Sequence, residues 1–72
     1  MIDRIVRLMS EEQQEDLTEK INMMESMGCT FYETFSVKTA HGQWFIELYE
    51  HTINVWLEAN GVISNKTHLA FN

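Results

Sequence analysis

The chain is expected to adopt an α+β fold, a single layer of antiparallel sheet packed on an N-terminal acidic helix, approximately β-α-β-β-α. Three features carry that expectation. Residues 11–27 repeat apolar side chains at helical spacing between a start and a stop signal, residues 29–38 alternate as a strand does, and a glycine-containing turn then leads into a second alternating run.

Residues 2–9 (Ile-Asp-Arg-Ile-Val-Arg-Leu-Met) suit two descriptions. Ile2, Ile5, Val6 and Met9 fit one helical face, whereas the β-branched content and short length fit a buried strand. Ser10 ends the ambiguity at Met9, because Ser10 with Gln13 forms the S-x-x-Q pattern of a capping box. A strand over residues 2–9 is therefore expected. In the helix from Glu11 to Met27, Leu17, Ile21, Met24 and Met27 make one apolar stripe, and Gly28 follows as a helix-ending residue should. Glu11, Glu12, Glu15 and Glu19 fall on roughly the opposite side. Asp16 and Lys20 form a favourable i,i+4 pair. Glu11 with Glu15, Glu12 with Asp16 and Glu15 with Glu19 are like-charged, each costing about 0.2–0.5 kcal/mol.

From Cys29 to Lys38 the chain alternates. Cys29, Phe31, Phe35 and Val37 share one side with Glu33 as the exception, and Thr30, Tyr32, Thr34, Ser36 and Lys38 share the other. Ala40-His41-Gly42 suits a tight hairpin. A strand over Gln43 to Glu50 then sets Trp44, Ile46 and Leu48 against Phe45, Glu47 and Tyr49. No glycine, proline, asparagine or aspartate marks a turn at Glu50-His51, so a short helix from Thr52 to Asn60 is expected next. The rival is one continuous helix over residues 43–60, which gathers Gln43, Glu47, Glu50, His51, Asn54 and Glu58 on one side and stops at Asn60-Gly61. That alternative makes the chain mostly α. Residues 62–72 supply an edge strand or lie over the core.

All 72 residues read as one domain, near the lower size limit for an independent core. Domains this small often rely on disulfides, metals or self-association. Cys29 is the lone cysteine, so no internal disulfide can form. Cys29, His41, His51 and His68 lack paired zinc-ligand spacing, and neither a metal nor another cofactor is expected. Self-association or a partner remains as the natural support.

Five Lys and Arg against eleven Asp and Glu leave a net charge of −6. That balance argues against direct binding of a nucleic-acid backbone, which needs clustered cations. No run approaches the ~18 apolar residues of a membrane span. The first ten residues interrupt their apolar content with Asp3, Arg4 and Arg7, unlike a signal peptide. The cysteine usage suits a reducing cytoplasm, and Asn65-Lys66-Thr67 is then a chance match to a glycosylation acceptor.

Two surfaces are candidates for recognition. The first is the acidic helix face, Glu11, Glu12, Glu15, Asp16 and Glu19, whose carboxylates can imitate a nucleic-acid backbone in a basic groove. Its plainer explanation is a solvated face that aids solubility. The second is the aromatic set Tyr32, Trp44, Phe45, Tyr49 and Trp56, more than one thin layer easily hides. Its plainer explanation is core packing. Met23, Met24 and Met27 offer an adaptable apolar patch or core filler.

Catalytic ingredients are sparse. Cys29 with His41 or His51 would be a nucleophile and base, but Cys29 follows a helix C-terminal end, where the dipole opposes a thiolate. Glu47, Glu50 and His51 form no recognisable metal motif, and the three glycines are scattered singly. The expected function is non-enzymatic: a small acidic protein-binding module. Its size, acidity and lack of catalytic motifs resemble the profile of phage and mobile-element proteins that inhibit host nucleic-acid-handling complexes by occlusion, of the anti-CRISPR or anti-restriction type. The alternative is a structural or regulatory homodimer joined through its aromatics about a two-fold axis.

Overall fold

The computed structural model describes residues 2–71 and is α+β. A short helix α1 (Ile2–Val6) and a longer helix α2 (Glu11–Met27) precede four strands, β1 (Phe31–Thr39), β2 (Gly42–Glu50), β3 (Thr52–Ala59) and β4 (Val62–Ala70). The strands form one antiparallel meander in the order β1-β2-β3-β4. The element order is thus α-α-β-β-β-β, not β-α-β-β-α.

Three sequence expectations are corrected. Residues 2–9 are helical over Ile2–Val6 and then turn, with Leu8 N–H bonded to the Ile5 carbonyl and Met9 N–H to the Val6 carbonyl. The i, i+4 spacing of Ile5 and Met9 puts both side chains into the core, so helical periodicity outweighs β-branched content there. Residues 52–60 are not a short helix but β3, and a continuous helix over 43–60 is ruled out by the same pairing. The β-formers of this stretch find ladder partners on both sides, which an isolated helix could not give them. The tail becomes the edge strand β4.

Ser10 caps α2: its Oγ accepts from the Gln13 N–H at 3.2 Å. The side chain that reaches back is Gln14, whose Nε2 donates to the Met9 carbonyl at 2.9 Å. At the other end Gly28 adopts φ 68°, and the N–H groups of Gly28 and Cys29 both point to the Met23 carbonyl.

The helices lie on one face of the sheet. Leu17 and Met24 of α2 meet Phe35, Ile46, Leu48, Ile53 and Val55, and Ile5 and Met9 close the core. These are the inward positions of period-two strands. α2 packs against β1. Two shallow clefts, one lined by Arg4, Ile5, Leu8, Trp44 and Asn65 and one by Ile2, Asp3, Thr67 and Leu69, place α1 toward β4. The shortest extent, 18 Å, fits one helix layer on one sheet. No described helix or strand lies on the other face of the sheet.

Three two-residue turns join the strands. Ala40-His41 is followed by Gly42 at φ 138°, where a Cβ would sit 2.5 Å from the Glu58 carbonyl oxygen. Only glycine fits that approach. Asn60-Gly61 has φ 53° and 75°, the doubly positive pattern of a type I′ turn. The turn at Glu50-His51 is made with Glu50 at φ 55° and is reinforced by Thr52 Oγ1 donating to the Tyr49 carbonyl at 2.6 Å.

Candidate functional site

Because side chains alternate across a strand, burying Phe35, Ile46, Leu48, Ile53 and Val55 commits their neighbours to the uncovered face. The register then sets rows across the strands. Tyr32, Tyr49, Thr52 and Ala70 form the first, and Thr34, Glu47, Asn54 and His68 the second. Ser36, Phe45 and Trp56 continue toward Lys66, and Lys38, Gln43, Glu58 and Ile63 form the last.

Four of the five aromatics considered for binding meet here. Phe45 and Trp56 are cross-strand partners with rings stacked at 5.3 Å and 12°. Tyr32 and Tyr49 form an edge-to-face pair at 5.4 Å and 90°. The tyrosines are 68% and 51% exposed, so the helix layer does not account for them. Trp44 departs from the group. It projects to the opposite face and packs against the core beside Ile5 and Leu8.

Polar side chains hold this aromatic surface in place. Trp56 Nε1 donates to Glu58 Oε2 at 3.1 Å, and Gln43 Nε2 donates to Ser36 Oγ at 3.2 Å. In the second row, Asn54 Nδ2 donates to Glu47 Oε1 at 3.2 Å, and Asn54 Oδ1 lies 2.6 Å from His68 Nδ1. An ionised carboxylate only accepts, so the Asn54 amide must turn its nitrogen to Glu47 and its oxygen to His68. His68 Nδ1 therefore carries the proton of that bond.

A register shift between Val55 and Leu57, with Asn65 at φ 51°, bulges β4 beside Trp56. A shallow cleft of about 290 Å³ opens there between Trp56, Ile63, Lys66 and His68. Sequence reasoning missed this half of the face, Asn54, Ile63, Lys66 and His68, because residues 52–60 were expected to be helical. Asn60-Gly61 between two alternating runs was the signal for it.

The acidic candidates lie on the other layer. Glu11, Glu12, Glu15 and Glu19 are exposed on α2. Asp16 is half-buried and paired with Lys20 at 3.3 Å. Lys20 also bonds Glu33, and its Nζ lies 5.8 and 5.7 Å from the ring centres of Phe31 and Phe35. The Glu33 bond first, then the bond to Asp16, holds the Lys20 ammonium above its ordinary pKa, against the opposing effect of burial. The three methionines do not make one patch: Met24 is core, Met23 half-buried and Met27 exposed.

Cys29 is half-buried just before β1, while His41 stands in the turn at the far end of that strand. No hydrogen bond joins Cys29 to His41 or His51 among the described residues. No three potential metal ligands converge among the described residues, Glu47, Glu50 and His51 included. No described helix is long and apolar enough to cross a membrane. Comparison with known proteins returned no match among family models, curated proteins or solved structures.

Proposed function

We propose that this chain is a small protein-binding module whose docking surface is the open face of the sheet. One observation carries the reading: Tyr32, Phe45, Tyr49 and Trp56 gather on a face that no described element covers. Large aromatic anchors supply much of the energy of protein interfaces, and pairs already stacked lose little freedom on binding. Aromatic sheet faces can also carry single-stranded nucleic acid, but such platforms line a cationic groove. Here Lys38 and Lys66 are offset by Glu47 and Glu58, and the chain as a whole is at −6.

A displayed peptide-and-domain library, selected against the immobilised chain, supplies binders of defined sequence for the test. Titrated into isotope-labelled protein, they are expected to shift the amides around Phe45 and Trp56. A Phe45→Thr, Trp56→Thr double variant, with its fold verified by circular dichroism, should lose roughly tenfold or more in affinity. Binders that perturb only α2 and ignore the double variant would sink the reading.

The finer reading is an inhibitor of a nucleic-acid-handling complex, of the kind phage and mobile elements direct against CRISPR or restriction systems. The charge of α2 favours it. Glu11, Glu12, Glu15, Asp16, Glu19 and Glu25 share that helix with a single cation, Lys20, which is already engaged. Carboxylates on such a layer would steer the module toward a basic groove at low salt. Replacing Glu12, Glu15 and Glu19 with Gln is expected to slow association with a purified basic effector complex and remove its salt dependence. Unchanged association rates would exclude the mimicry.

A further inference from the structure

We infer that the partner on the open face is a second copy of this chain, stacked sheet on sheet about a two-fold axis that runs along the strands between β2 and β3. The inference rests on the open face being the docking surface and names what covers it. Charge is the first argument. The open face carries two cations, Lys38 and Lys66, against two carboxylates, Glu47 and Glu58, and is formally neutral. The whole excess of −6 therefore lies elsewhere, chiefly on α2. Stacking through the helix layers would press like charges together. Stacking through the open faces puts both helix layers outside, with two sheets between them. At ~10 Å per layer that separation is well beyond a Debye length of ~8–10 Å.

Pairing across the axis is the second argument. A two-fold axis along the strands sets β2 against β3 of the partner subunit. Phe45 then faces Trp56 of the partner subunit, Glu47 faces Asn54 of the partner subunit, and Gln43 faces Glu58 of the partner subunit. Ring meets ring, and each carboxylate meets an amide that can donate to it. No carboxylate meets a carboxylate and no lysine meets a lysine. The other in-plane axis, across the strands, would set Glu47 on the partner's Phe45 and His68 on the partner's Lys66, leaving a carboxylate against an aromatic ring. Stacked sheets cross at roughly 30°, so register counts most at the centre. The four central residues are Phe45, Trp56, Glu47 and Asn54.

Area sets the strength. Four strands ~4.8 Å apart, each eight or nine residues at ~3.3 Å, give a face of roughly 500 Å² per copy. About 1,000 Å² in total is the lower bound for a specific interface. The dimer is accordingly reversible, and dilution separates it.

Light scattering over a concentration series should show the mass rise from 8.5 kDa toward twice that value. Raising NaCl from 0.01 to 0.15 M shortens the Debye length from ~30 to ~8 Å and is expected to increase the dimer fraction by screening the repulsion between the helix layers, opposite in sign to docking on a basic partner. Phe45→Thr with Trp56→Thr should weaken association at least tenfold, whereas Glu12→Gln with Glu15→Gln and Glu19→Gln should not. In a mixture of labelled and unlabelled chains, isotope-filtered contacts should join the Phe45 ring of one copy to the Trp56 ring of the other. A mass of one chain up to about 1 mM, the weak end of the affinity scale, would overturn the second copy as occupant. Contacts across the β4 edge or between helices would overturn it as well. A monomer would leave the open face free for a different protein, which the library binders decide separately.

Discussion

Lys20 shows how one residue joins the two layers of this fold. Its side chain leaves α2 toward β1, where Glu33 occupies an inward position otherwise taken by Phe31, Phe35 and Val37. A carboxylate there needs a cation, and Lys20 supplies one while its stem covers the Phe31 and Phe35 rings. Side-chain exposures of 22% for Lys20 and 38% for Glu33 place the pair at the rim, so it contributes about 0.5–1 kcal/mol at most. Because folding raises the Lys20 pKa, chiefly through Glu33, this stabilisation is complete below the ordinary value of 10.5. It is lost as pH rises through the higher folded value. Urea denaturation of the wild type and Lys20→Met should therefore show a gap at pH 7 that narrows above pH 10.5. A gap that persists unchanged at higher pH would mean that packing of the stem, not charge, is the contribution.

At the level of elements, the turns explain both the topology and what was hidden in the sequence. At two of the three hairpins the first turn residue has positive φ, which matches the strand twist and costs a non-glycine residue about 1–2 kcal/mol. Glu50 occupies it at φ 55°. Glu50→Gly removes that strain at the cost of greater unfolded-chain entropy and is expected to stabilise the domain by about 0.5–1 kcal/mol, read as a higher urea midpoint with unchanged slope. A destabilised variant would show that the Glu50 side chain has a role beyond the turn. The same position explains why β3 was expected to be helical: no turn residue announces the bend, and ladder pairing on both sides overrides the missing signal. Asn60-Gly61 was legible but ambiguous, since the pair ends helices and turns hairpins alike. The local signals at Ser10 and Gly28 had one meaning each, and α2 begins and ends at them. For α1 the helical spacing opposed the β-branched content and short length that favoured a strand, and the joint burial of Ile5 and Met9 shows that the spacing prevailed. Tyr32, Phe45 and Tyr49 could be read from alternation in residues 29–50, whereas Trp56 joins them only because residues 52–59 form a strand. Its β4 half could not, because Lys66 and His68 reach the face only through the third hairpin and the bulge.

For the molecule as a whole, the separation of charge from aromatic surface has a thermodynamic consequence. Three like-charged i,i+4 pairs on α2, Glu11–Glu15, Glu12–Asp16 and Glu15–Glu19, together cost roughly 1 kcal/mol at low salt. Lys20 relieves the helix at Asp16 alone. Raising NaCl shortens the Debye length from ~30 Å at 0.01 M to ~3 Å at 1 M, below the ~5–6 Å between such neighbours. Screening should release most of the repulsion and weaken the Lys20 pair less, because that pair is partly buried. A gain of about 1 kcal/mol corresponds to a Tm higher by ~4–8 °C in a domain of this size. The measurement belongs at low micromolar protein, where the monomer dominates and salt acts within one chain. Glu15 takes part in two of the three repulsive pairs, so Glu15→Gln should start from a higher Tm at low salt and show roughly a third of the salt response. A wild-type Tm that stays level or falls between 0.01 and 1 M NaCl would show that attractive pairs outweigh the acidic layer, and the partition of charge would then carry no energetic weight.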